Sequence, residues 1–177
     1  MGVALTDEIV EDDFVYPAII RLVACLDQAI KNRNLPEPCS VAPMIGELVL
    51  DFCGECSERG CGQAWVRIVD SFPSVDFPNI DQSANNCGTL WATTLEIGIV
   101  RCKPLGTSSG LVGYSPPTLN QMVEALRVQT ADMRAMREAV QCCFVSGDTP
   151  YYMTPYQPGA PDGDCLGGVF NVVIGQD

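Results

Sequence analysis

Histidine is absent from the 177 residues of this chain. The commonest general base and the commonest metal ligand are therefore missing. No Ser-His-Asp or Cys-His nucleophile can be assembled within one copy. Basic residues are scarce too: ten Lys and Arg stand against 22 Asp and Glu, a formal net charge of −12. Gripping nucleic acid needs clustered cations that displace counterions, so that class is disfavoured. An acidic wall would instead let DNA slide past without sticking. The longest apolar stretches are broken by Arg21, Asp27, Glu47 and Asp51, far short of a membrane span. Met1 to Asp13 carries acids where a secretory signal has a basic region. Neither a GxxxxGK[ST] loop nor a GxGxxG turn occurs, and Asp162-Gly163-Asp164 lacks the rest of a calcium-loop pattern. The expectation is a non-enzymatic protein with no catalytic or cofactor-binding residues and no membrane partner. It should stay in the cytoplasm until it joins something larger.

What is present is an apolar content of 47% with only 18% charged residues. That is enough for one domain with a real core. Low charge beside normal apolar content fits a surface covered by partners, or a compact monomer with uncharged polar residues outside.

Residues 12 to 33 read as a helix, with Val15, Ile19, Val23, Leu26 and Ile30 on one face. Asp12 and Asp13 begin it, Lys31 and Arg33 end it, and Pro36 and Pro38 stop it. Glu47 to Phe52, Gln63 to Phe72, Leu90 to Cys102 and Gly167 to Ile174 read as strands. Thr118 to Phe144 is the clearest helix, opened by a Thr118/Gln121 capping box. Leu119, Met122, Val123, Leu126, Met133, Met136, Val140 and Cys143 line one side of it, and Glu124, Arg127, Asp132 and Glu138 the other. The order α-β-β-β-α-β predicts an α+β single domain: an antiparallel meander with both helices on one face. Val15, Ile19, Val23, Leu26, Val66, Ile68, Leu95, Ile97, Ile99, Met122, Leu126, Met133 and Val172 should form its core. Residues 103 to 117 and 146 to 164, rich in Pro, Gly and Tyr, should be interaction loops.

Ten cysteines without a secretory signal are unusual. Cys53-x2-Cys56-x4-Cys61 is the sharpest local pattern, because two cysteines three apart can present both sulfurs to one tetrahedral zinc. Cys61 would be a third ligand and Cys87 a fourth. A second CxxC is missing, so disulfides and free buried thiols remain open beside zinc. Cys102 and Cys165 flank strands and could meet other cysteines.

Several segments together resemble a known group. They are CGQAWVRIV at 61 to 69, Phe72-Pro73, Asn86-Cys87-Gly88, LEIGIVRC at 95 to 102, and Gly163 to Gly168. Over roughly residues 50 to 175 the set is similar to head-to-tail connection proteins of siphophages that infect mycobacteria and related actinobacteria. The element order is also similar to that of the tail terminators of lambda-like phages. The resemblance implies a structural virion protein. Six copies would form a ring that caps the tail tube, ends its growth and docks onto the stopper protein of the head. DNA would pass through the lumen without specific binding. The expected partners are further copies of the chain, the tail tube protein and the stopper. The expected location is the virion neck, after assembly in the host cytoplasm. The cysteine pattern departs from the lambda-like one. Rival readings are another neck protein, stopper or adaptor, and a small zinc-containing interaction module.

Overall fold

The computed structural model describes residues 12–46, 55–56, 60–81, 90–102, 107–108, 114–145, 149–159 and 165–175. In chain order the elements are α1 (Val15–Asn32), β1 (Ser40–Met44), β2 (Glu55–Cys56), β3 (Gly60–Cys61), β4 (Gln63–Pro73) and β5 (Trp91–Cys102). There follow β6 (Thr107–Ser108), β7 (Tyr114–Ser115), α2 (Leu119–Phe144), β8 (Tyr151–Met153), β9 (Gln157–Pro158) and β10 (Cys165–Gly175).

Local chemistry sets both helices. In α1 the Tyr16 amide donates to Asp12 Oδ2 at 2.7 Å, so an acid satisfies a free N-terminal donor. Pro17 sits in the first turn, where its missing N–H costs no helical bond. Asn34 adopts a left-handed φ of 49° and Leu35 N–H donates back to the Ile30 carbonyl at 3.2 Å, which closes the helix before Pro36. In α2 the capping box forms as its sequence predicts. Thr118 Oγ1 accepts from Gln121 N–H, and Gln121 Oε1 accepts from Thr118 N–H at 2.8 Å.

The main sheet runs β1-β4-β5-β10-β8, with β9 also paired to β10. The β4–β5 and β5–β10 ladders are antiparallel over ten and eleven residue pairs. Both helices pack on one face. Leu22, Leu26 and Ile30 of α1 and Ala135, Met136, Ala139 and Val140 of α2 meet Ala64, Val66, Leu95, Ile97, Ile99, Val172 and Ile174. The fold is therefore the expected α+β arrangement with two helices over a sheet.

The sheet differs from a pure meander at its edges. β1 lies parallel to β4, pairing Ser40 with Gln63 through Met44 with Arg67. Pro43 lies within β1, and an edge strand tolerates a residue without an N–H. The strand predicted at 47 to 52 lies outside the described residues. Part of the predicted loop 146 to 164 is sheet edge, since β8 and β9 hydrogen-bond to β10. Within 103 to 117, β6 and β7 pair as a short hairpin.

The predicted core divides in three. Ile19, Leu26, Val66, Leu95, Ile97, Ile99 and Val172 are buried, while Val15, Val23 and Met133 are half-buried. Ile68, Met122 and Leu126 are exposed, at 49, 50 and 59%. Ile68 shares the inner face with Val66, but the register shifts between Ile68 and Asp70 and the strand end is covered on neither side. Met122 and Leu126 have a different cause, described below.

The second sheet face carries a smaller core of Trp65, Val100 and Cys165, with Met44 and Val169 against it. A Cβ on Gly98 would run into the Trp65 ring, so glycine there makes the space the indole fills. Glu96 closes this cluster: it accepts from Trp65 Nε1 at 2.9 Å and from Arg67 Nε at 2.7 Å and Nη2 at 3.0 Å.

Candidate interaction surface

The helix α2 has two apolar stripes rather than one. Its C-terminal half buries Asp132, Ala135, Met136, Ala139, Val140, Cys143 and Phe144. Its N-terminal half carries Leu119, Met122, Val123 and Leu126, spaced i, i+3, i+4, i+7, all at least half exposed. At 3.6 residues per turn the two stripes are offset by roughly 100° around the axis. The side of the first half that continues the buried face is Ala125, Val128 and Gln129, which are half-buried. The four exposed side chains thus point away from the core. A stripe at this spacing is what a helix lays against a neighbour.

Beneath the first half lies a cavity of about 650 Å³, lined by Pro36, Cys61, Arg101, Cys102, Ala125, Val128, Gln129, Asp132 and Leu166 among others. An ion pair holds its wall. Arg101 Nε and Nη2 donate to Asp132 Oδ2 and Oδ1 at 3.0 and 2.8 Å, and Arg101 Nη1 donates to the Pro36 carbonyl. Both residues are buried. The sequence pattern put Asp132 on the solvent side of α2 with Glu124, Arg127 and Glu138. The structure turns it inward, where the bidentate guanidinium stabilises a carboxylate that would otherwise be costly to bury. Glu138 is also engaged: it accepts from Arg33 of α1 across the helix pair, at 2.8 Å from Nε.

Four of the described cysteines are disulfide-bonded. Cys61 is disulfide-bonded to Cys102, with Cα atoms 5.6 Å apart. Cys165 lies opposite Cys102 in the β5–β10 ladder, and Cys39 N–H donates to the carbonyl of Gly62 at 2.8 Å, beside Cys61. Cys39 and Cys165 are disulfide-bonded as well. The four thus gather at the end of the sheet where β1, β4 and β10 begin and β5 ends. Gly62 makes the approach possible: its φ is +97°, and a Cβ there would strike the Val100 carbonyl. Of the predicted quartet, Cys56 and Cys61 share the β2–β3 hairpin, while Cys53 and Cys87 lie outside the described residues. Cys61 in a disulfide has no thiolate to offer zinc. Among the described residues no group of three or more Cys, Asp or Glu is arranged to hold a metal.

The Cys39 contribution escaped the sequence reading because its signal is ladder register, not spacing. Among the described residues no helix is long and apolar enough to cross a membrane. No protein-family model matches the chain, and a search of curated proteins finds no match to it.

Proposed function

We propose that this chain is a structural subunit of a phage virion, a tail terminator that closes into a ring, of six copies by the resemblance, between tail tube and head. The observation that carries this reading is the Leu119/Met122/Val123/Leu126 stripe, an apolar surface built on a capped helix and turned away from the subunit's own core. A closed ring gives every such surface a partner on the next copy, which is how cyclic symmetry satisfies head-to-tail contacts. The fold of a sheet with two helices on one face agrees with the resemblance noted in the sequence. The net charge of −12 suits a lumen through which DNA passes without binding. Disulfides at one sheet end suit a particle that leaves the reducing cytoplasm.

The test is genetic and visual. Deleting the gene should leave filled heads and separate tails of abnormal length. Normal joined virions from the deletion would refute the assignment. In solution, Leu126→Asp should keep the fold and prevent ring closure on isolated tubes.

A further inference from the structure

The apolar stripe of α2 has a counterpart at the other end of the molecule. Beyond the end of β4, Val75 and Ile80 are exposed, and so are Leu90 and Trp91 where β5 begins. The four belong to one surface. Pro73 pairs with Trp91, Ser74 N–H donates to the Leu90 carbonyl at 2.9 Å, and Asp81 N–H donates to the Pro73 carbonyl at 2.8 Å. The first half of α2 stands over the cavity lined by Cys61 and Cys102, at the opposite end of the β4–β5 ladder. At 3.3 Å per residue, the length of β5 separates the two ends by about 35 Å. The two surfaces therefore cannot touch within one copy.

Charge divides them. Residues 68 to 100 include no Lys or Arg, and Asp70 and Asp76 are exposed at the Trp91 end. On α2, eleven residues make about three turns, so Arg134 and Arg137 continue the lines of Val123 and Leu126 along the helix. Both arginines are exposed, and among the described residues neither is in an ion pair.

We infer that the outward face of α2 on one copy, from Leu119 to Arg137, docks on the Trp91 end of the sheet of a second copy. The Leu126 stripe meets Leu90 and Trp91, and Arg134 and Arg137 face Asp70 and Asp76. This rests on the ring reading above and names the surface that covers the stripe. The two surfaces match twice, apolar against apolar and cation against anion. The second match counts for more in a chain of net charge −12, whose copies otherwise repel. Each copy contributes unlike surfaces from opposite ends, so the contact is head-to-tail and is completed only when a ring closes.

Sedimentation velocity of the full chain, at concentrations up to about 1 mM, detects even a weak contact between copies. Reversing one surface, as Arg134→Asp with Arg137→Asp, should weaken self-association roughly tenfold or more, and so should Asp70→Arg with Asp76→Arg. Carrying all four changes in one chain should restore association to within about threefold of wild type. Mixing the two singly reversed proteins should restore it as well, because every cationic surface then finds an anionic one. Circular dichroism checks that each variant folds. If Leu126→Asp abolishes association while the reversals leave it unchanged, the ring stands and this pairing falls. Reversals that weaken association with no rescue from the fourfold variant or the mixture would also overturn it. A chain that stays monomeric throughout overturns it too, and binding of that chain to isolated tubes through Leu126 would give the stripe to the tube protein. Normal virions from the gene deletion would refute the virion role and leave the measured contact between copies untouched.

Discussion

From Asp132 to Phe144, α2 turns apolar side chains into the core; from Leu119 to Leu126 it turns equally apolar ones to solvent. Composition does not separate the two halves. The sheet beneath them does. The second half lies over Leu95, Ile97 and Val172 and meets α1, so each side chain there is fixed by neighbours. The first half stands over a cavity, held by its capping box and by Ala125, Val128 and Gln129 at the cavity rim. One half stabilises the subunit, and the other leaves an apolar surface open to solvent, the surface that the proposed ring would cover.

The sharpest way to break this contrast is at the junction. Asp132→Ala should cost about 3–5 kcal/mol, because it deprives the buried Arg101 guanidinium of its carboxylate. Replacing both, as Arg101→Met with Asp132→Leu, should recover most of that loss. Urea denaturation of the two proteins checks it, and equal stability of Asp132→Ala and wild type would remove the ion pair from the account.

A truncation in each half comes next. Met136→Ala should cost about 2–5 kcal/mol, since the side chain is fully buried. Leu126→Ala and Leu126→Asp should stay within about 0.5 kcal/mol of wild type as isolated subunits. A large loss from Leu126→Asp would mean that its face is covered within the subunit, and the offset between the two stripes would lose its meaning.

Much of this fold was legible before any coordinates. The two central strands, both helices and the capping box follow from periodicity and end signals, which are local. The phase of α2 was not. Spacing alone joined Leu126 to Met133 and Val140 as one stripe, and it set Asp132 among solvated acids. Only the partner of Asp132, Arg101 on β5, reveals that the buried side has shifted. The cysteines teach the same point. Cys53-x2-Cys56-x4-Cys61 is a pattern along the chain, whereas the bond from Cys61 to Cys102 and the place of Cys165 opposite Cys102 are set by register across strands.

The cap tests how independent the first half is. Thr118→Ala removes the acceptor for Gln121 N–H, a change worth about 1 kcal/mol at a helix start. Because the first turns of α2 are not held by the core, the loss should appear as local fraying. Amide exchange over residues 120 to 124 should quicken roughly fivefold, with global stability almost unchanged. A fall in global stability with no local quickening would show that the first half is cooperative with the second.

The smallest effect belongs to the exposed pair on the same half. Arg127 Nε and Nη2 donate to Glu124 at 2.9 and 2.8 Å, one turn apart. The Arg127 hydrogen bond, more than its charge, holds the Glu124 carboxyl below the usual carboxylate range. A carboxyl with a depressed folded-state pKa stabilises the fold above its unfolded value and loses that contribution as pH falls through the folded one. The pair is open to solvent, so screening leaves it a slight influence on stability. The readable quantity is the titration itself. Carboxyl NMR should place Glu124 below an ordinary glutamate, and Arg127→Ala should return it to the ordinary range. Added salt should narrow the gap. The pair lies on the helix side away from both apolar stripes, so Arg127→Ala should leave ring closure intact where Leu126→Asp abolishes it. Loss of assembly from Arg127→Ala would mean instead that the contact surface wraps around the helix to the charged side.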